Sequence, residues 1–217
     1  MSERQTLQSR VRHWIFVTSP RNLLICLKHM VYGVNYNKYG FTAENLVKPG
    51  DLMIFYVRRS PSRRRAAKMC TDIPIRKCLD EADTILDLCC GGLPLLLGPY
   101  MIISSGYRNP QHPAVNEWES PKPGMFDTII EFKSLDNVGV RVFDQQLLNK
   151  LLFLTNKART GKGGWQDHLQ FSIVSIRDED YDTIIRELKA NTRCIDTIKA
   201  CVNRLQETLQ RPQHPQA

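Results

Sequence analysis

The chain lacks most of the signatures that mark an active site. Its 217 residues hold no Gly-x-Ser-x-Gly elbow, no His-Glu-x-x-His pair, no Walker-type phosphate loop and no strand-linked Gly-x-Gly-x-x-Gly. The histidines His13, His29, His112, His168 and His214 show no metal-like spacing. There is no Cys-x-x-Cys, and the cysteine number is odd, at seven; both facts argue against a zinc ribbon and a secreted disulfide framework. The longest apolar run, "LPLLLGPYMII" (93–103), is too short to span a bilayer and is broken by Pro94, Gly98 and Pro99. The first ten residues carry no apolar leader. These absences lead us to expect a soluble, cytoplasmic protein that is not an enzyme, with no cofactor, no metal and no membrane partner.

What is present is positive charge. Thirty Lys and Arg against 22 Asp and Glu give a formal +8, so an anionic partner is expected, nucleic acid first. The excess is concentrated in "RRSPSRRRAAK", where Arg58, Arg59, Arg63, Arg64, Arg65 and Lys68 face no acidic residue and could track a phosphate backbone. The same run also fits a solvated loop. Among the cysteines, Cys194 and Cys201 share one face of a predicted helix and read as buried thiols. Cys70, Cys78, Cys89 and Cys90 cluster, and are better candidates for a local disulfide.

Aromatic and β-branched residues predict strands at 13–19, 52–59, 96–107, 125–135 and 138–143. Helices are predicted at 19–30, capped by Ser19 with Pro20 in the first turn, and at 144–154, 175–190 and 193–210. Strands in succession with helices at the ends indicate an α+β fold with a mostly antiparallel sheet or small barrel. Residues 60–92 interrupt this rhythm and read as an insertion. "TGKGG" (160–164) has phosphate-loop glycines but neither the preceding strand nor the motif order.

Several aromatics sit in polar loops: Tyr32, Tyr107, Trp118 and Trp165. Rings gathered at loop ends could stack on a planar base, each stack contributing about 1–3 kcal/mol. Core packing is the competing role for any one of them. In "MVYGVNYNKYGF" (30–41), Tyr36 and Tyr39 fit either role, and Phe41 is expected in the core.

Two stretches, "HWIFVTSPRNLLICLKHMVYGVN" (13–35) and "LVKPGDLMIFYV" (46–57), strongly resemble the EVE domain family of the PUA-like superfamily. Its pattern is an aromatic strand ending "TSP.N", a helix, a "WGV" corner, and "VKPGD" leading into a strand. Looser likeness continues through "LGPYMIISSGYRNP" (97–110), "FDTIIEF" (126–132), "LLNKLLFLTNK" (147–157), Trp165 and "IRDEDYDTIIREL" (176–188). The resemblance implies a small, strongly bent, mostly antiparallel β-barrel flanked by α-helices, related to YTH readers of methylated adenine. It implies an EVE domain over 1–190 with the insertion at about 60–92, and an additional helix and tail at 191–217.

It also implies binding of a modified base in nucleic acid, DNA or RNA, without catalysis. Thr18, Ser19 and Asn22 match the "TSP.N" that lines the family's pocket. Tyr32, Gly33 and Val34 match the "WGV" corner, with Tyr in place of Trp. Backbone groups near Val34 and Asn35 would meet the base edge. Tyr107, Trp118 and Trp165 fall where the family or its relatives place aromatics. A binder of a free nucleoside in the same pocket is the alternative; its affinity would hardly depend on salt.

Overall fold

The computed structural model describes residues 11–58, 94–152, 169, 172–189, 195–196, 198–200 and 202–203. The 60–92 insertion, the "TGKGG" stretch, Trp165, Arg59, Arg63, Arg64, Arg65, Lys68 and every cysteine except Cys26 lie outside these residues.

Strands β1 (His13–Thr18) and β3 (Leu52–Val57) are each buried at all positions after the first. That explains their uninterrupted apolar sequences: a strand covered on both faces has no reason to alternate. They lie parallel, with Phe16 opposite Phe55. The remaining strand pairings are antiparallel. The other strands are β2 (Val31–Val34), β4 (Leu95–Ile102), β5 (Tyr107–Arg108), β6 (Thr128–Val142) and β7 (Ile173–Ile176). Their order is β2-β6-β4-β3-β1-β7, with β5 also paired to β6.

The side chains of β1 alternate between two cores. Trp14 and Phe16 join Phe55, Tyr100 and Phe132 on one face of the sheet. Ile15 and Val17 join Ile54, Tyr56 and Leu96 on the other, together with residues of α4 (Gln145–Lys150) and α5 (Asp178–Glu187). Tyr32 on β2 stands far from β1 in strand order, yet its ring centroid lies 4.6 Å from that of Phe16. The sheet therefore curls until its two ends meet around the first core. The chain forms the expected α+β fold, a strongly bent and mostly antiparallel sheet flanked by helices.

The helix after β1, α1 (Pro20–His29), begins where Ser19 accepts a hydrogen bond from the Asn22 amide and ends on Met30 at φ 54. Residues 125–135 and 138–143 belong to a single strand, β6, which pairs with β2 and β5 along its first part and with β4 along the rest. The span 175–190 divides into β7 and α5. Short elements that periodicity could not reveal are β2, α2 (Tyr36–Phe41) with the π-type turn Thr42–Leu46, and α3 (Pro113–Glu117). Phe41, expected in the core, is 72% exposed; α2 and its turn bury Gly40 and Ala43 instead.

Candidate functional site

Of the predicted residues that the structure describes, those of the first motif lie at the end of β1 and the start of α1. Thr18 ends β1 and is buried. Ser19 caps α1, and the Asn22 side chain then reaches across to the loop after α3. Its Nδ2 donates to the Glu119 carbonyl at 3.0 Å, and its Oδ1 accepts from the Glu119 amide at 2.8 Å. At the other end of α1, Lys28 and His29 both contact the Glu117 carboxylate, at 2.7 and 3.1 Å. Burial would raise the Glu117 pKa, but the hydrogen bonds from His29 and Lys28 outweigh it and hold the carboxyl below its usual range. Helix α1, α3 and the Trp118 loop are thus joined by polar contacts at both ends.

Between them lies the corner of β2. Gly33 is a close-approach position: a Cβ there would stand 2.2 Å from the Trp118 ring. Trp118 is 6% exposed and meets Phe126 edge-on at 6.2 Å. Cys26 packs in the same core and bonds to Trp118; burial pushes its thiol up to about 12, which leaves it a packing residue. Tyr32 is 4% exposed, tilted against Phe16 and Phe55. Its hydroxyl lies 2.8 Å from the carbonyls of both Val17 and Ser172, and burial drives its pKa far up. Tyr32 and Trp118 are therefore placed differently from walls of an open cage. Their faces are covered, because the curl of the sheet and the missing Gly33 side chain draw them inward.

Val34 is opposite Thr128, and Arg108 is opposite Thr128 on the other side. Directly opposed residues share a face of the sheet. Thr128 is fully buried, and among the described residues its Oγ1 has no hydrogen-bond partner. Asn35 caps α2 by accepting from the Lys38 amide. Just beyond it, Asp127 accepts from the Tyr36 amide at 3.3 Å and from Arg108 Nε at 2.9 Å. The Arg108 guanidinium sits 5.2 Å from the Tyr36 ring centroid. Tyr107 is exposed and donates to Glu131 at 2.6 Å, a bond that, with lesser burial, pushes its phenol up to about 12.

The structure brings Asn22, Gly33 and Trp118 together, and places Thr18, Ser19 and Tyr32 at the adjoining strand end. Arg58 is exposed at the end of β3, its amide bonded to the Thr18 carbonyl. Tyr107 stands one strand further away, across β6 from Gly33. Sequence reasoning missed the Tyr36–Arg108–Asp127 group and Thr128. No local motif joins Arg108 to Asp127, which meet only through the β5–β6 pairing. A separate open groove of about 650 Å³ runs past Arg12, His13, Trp14 and Asp178. There His13 bonds to Asp178 at 3.0 Å and stacks on Tyr181 at 4.0 Å. Among the described residues, no group of three or more His, Cys, Asp or Glu could hold a metal, and no helix is long and apolar enough to cross a membrane.

No protein-family model and no curated protein matches the chain. Solved structures similar to it include a protein from Pseudomonas putida, at 16% identity over 80% of this chain and 97% of that one, with a TM-score of 0.46. The DUF55 domain of human thymocyte nuclear protein 1 is similar at 14% identity, over 80% and 96% of the two chains, with a TM-score of 0.39. Human THYN1 protein in complex with 5-methylcytosine-containing DNA gives 14%, 81%, 96% and 0.39 in the same order. Likeness at this level carries no inference about ligand or residue roles.

Proposed function

We propose that the chain is a non-catalytic nucleic-acid-binding module that reads a modified base at the corner where β2 ends. The observation that supports this is the contiguity of the motif residues. Asn22 of "TSP.N" bonds to the loop of Trp118, and Trp118 lies on Gly33 of the "YGVN" corner. The resemblance implies that these segments line one pocket, and the net charge of +8 suits a polyanion.

In this reading Tyr32 and Trp118 serve as the frame of the corner. The backbone at Asn35, the partly exposed residue that follows the buried Val34, meets the polar edge of the base. The base is presented single-stranded or flipped from a duplex, at a cost of a few kcal/mol. Arg58 grips a phosphate from the adjoining strand end, adding sequence-independent and salt-dependent affinity.

The test is a fluorescence-anisotropy screen of the full chain against oligonucleotides bearing different modified bases, in DNA and RNA forms, over a salt series. The reading expects at least one modification to bind roughly tenfold tighter than its plain counterpart, with affinity falling as salt rises. No binding to any oligonucleotide would overturn it. Salt-independent binding of free nucleosides, with no gain from the polymer, would favour a small-molecule sensor instead.

A further inference from the structure

We propose that Tyr36 and Arg108 form a stacking platform for a nucleobase of a single strand, beside the reading corner and separate from it. This inference rests on the nucleic-acid reading and names a second contact for the same ligand.

The group is built rather than incidental. Asp127 is 9% exposed, and its carboxylate holds both partners: Oδ1 takes the Tyr36 amide and Oδ2 takes Arg108 Nε. The Asp127 carbonyl accepts from Asn109 at 2.8 Å, fixing the chain just past Arg108. A buried carboxylate thus orients a cation whose own side chain is 61% exposed, over a ring that is 42% exposed. A cation–ring contact at such an exposed site contributes little to folding. Both groups are instead presented outward in a fixed geometry.

The chemistry of that surface selects its ligand. The Arg108 guanidinium carbon lies 5.2 Å from the Tyr36 ring centroid on a largely exposed side chain, so the pair offers a planar cation beside a ring, and nucleobases stack on Arg planes as they do on aromatic rings. Arg108 Nε is committed to Asp127, while its terminal nitrogens have no hydrogen bond among the described residues and can reach a phosphate of the same nucleotide. A base that stacks on this exposed pair leaves the Asp127 contacts of both residues in place. An acidic peptide would use the charge but not the plane, which makes Arg108→Lys the informative substitution.

The experiment measures anisotropy of a fluorescein-labelled single strand roughly ten nucleotides long, in DNA and RNA forms, with and without the modified base preferred in the screen. Tyr36→Phe should bind like the parent. Tyr36→Leu and Arg108→Lys should each weaken binding about tenfold, with the salt slope of Arg108→Lys unchanged and the preference for the modified base retained. Thermal unfolding of each variant within a few degrees of the parent separates a lost contact from a lost fold. Parental affinity in Arg108→Lys or Tyr36→Leu would overturn the platform while leaving the reading corner standing. Loss of discrimination with either variant would place these residues in the reading pocket itself and overturn their separateness. Failure of the parent to bind any oligonucleotide would sink both readings together.

Discussion

The hydroxyl of Tyr32 sits 2.8 Å from the carbonyl of Ser172, so a residue of β2 at one end of the strand order is tied to the residue preceding β7 at the other. The same hydroxyl lies 2.8 Å from the Val17 carbonyl on β1. One O–H shared between these carbonyls latches the curl of the sheet. Tyr32→Phe should keep the ring packing and lose the latch, lowering stability by about 1–1.5 kcal/mol in urea unfolding. An unchanged midpoint would mean that the curl is held by apolar packing alone. Tyr32→Trp, which restores the residue of the "WGV" pattern, should be worse, because a larger ring must fit against Phe16 and Phe55.

Gly33 and Trp118 make a second prediction. A methyl group at position 33 would meet the indole at 2.2 Å, and the ring has little room to retreat with Phe126 beside it. Gly33→Ala should therefore cost about 1–3 kcal/mol and change the near-ultraviolet dichroism of the tryptophans. Trp118→Ala should cost more, about 3–5 kcal/mol, by leaving a cavity. Lost binding in Trp118→Ala would thus report on folding before it reported on recognition; Trp118→Phe is the gentler probe.

The "KPGD" turn carries a third. Gly50 takes φ 91, and the buried Asp51 carboxylate accepts from Trp14 Nε1 at 2.9 Å and from the Arg12 and Lys48 amides at 3.0 Å. Asp51→Ala leaves those donors without their acceptor, and should destabilise by about 3 kcal/mol. Asp51→Asn keeps one carbonyl oxygen and should lose less. Equal losses in the two variants would show that the charge, and not the acceptor geometry, matters.

Thr128 predicts the opposite sign. Its buried Oγ1 has no hydrogen bond among the described residues, and Val34 and Ile130 are buried on the same face. Thr128→Val removes the unsatisfied hydroxyl at constant shape, so stability should hold or rise by about 1 kcal/mol. Oligonucleotide affinity should stay at the parental level, because a hydroxyl with no exposed surface cannot touch a ligand. A loss of stability beyond about 1 kcal/mol would reveal a hydrogen bond made in solution.

These positions divide into what the chain announces locally and what it does not. Strands β1 and β3 and helix α1 were legible because each carries its own signal: an apolar run, or a Ser-Pro start with apolar residues at helical spacing. The turn at Gly50 was legible as a turn. The reach of Asp51 was not, since its partners Arg12 and Trp14 lie 39 and 37 residues upstream. Tyr32 and Trp118 could be recognised as members of a motif. Their burial depended on the curl of the sheet and on the space beside Gly33, and neither is a property of local sequence. Phe41 shows the converse: an aromatic expected in the core is 72% exposed, because the buried position of α2 is Gly40.

The last prediction concerns pH. His112 caps α3, its Nδ1 accepting from the Ala114 amide at 3.2 Å, which requires the neutral ring. Burial, and then the nearby His29, lower its pKa from the ordinary value near 6.5. The unfolded chain therefore takes up this proton first, so the stability contributed by neutral His112 is full above about 6.5 and is lost as pH falls toward the lower folded value. Glu117, also held below its ordinary range, contributes stability that is full above about 4.5 and is lost as pH falls through its folded value. The carboxyls of Asp144 and Glu187 are lowered too and share that acid limb. Urea midpoints measured from pH 8 to 3 should fall in two stages. His112→Asn keeps a capping acceptor without a titrating ring and should flatten only the first stage. Glu117→Gln should shrink only the second. A first stage that survives in His112→Asn would assign it to another histidine and would mean that the cap at Ala114 tolerates the protonated ring.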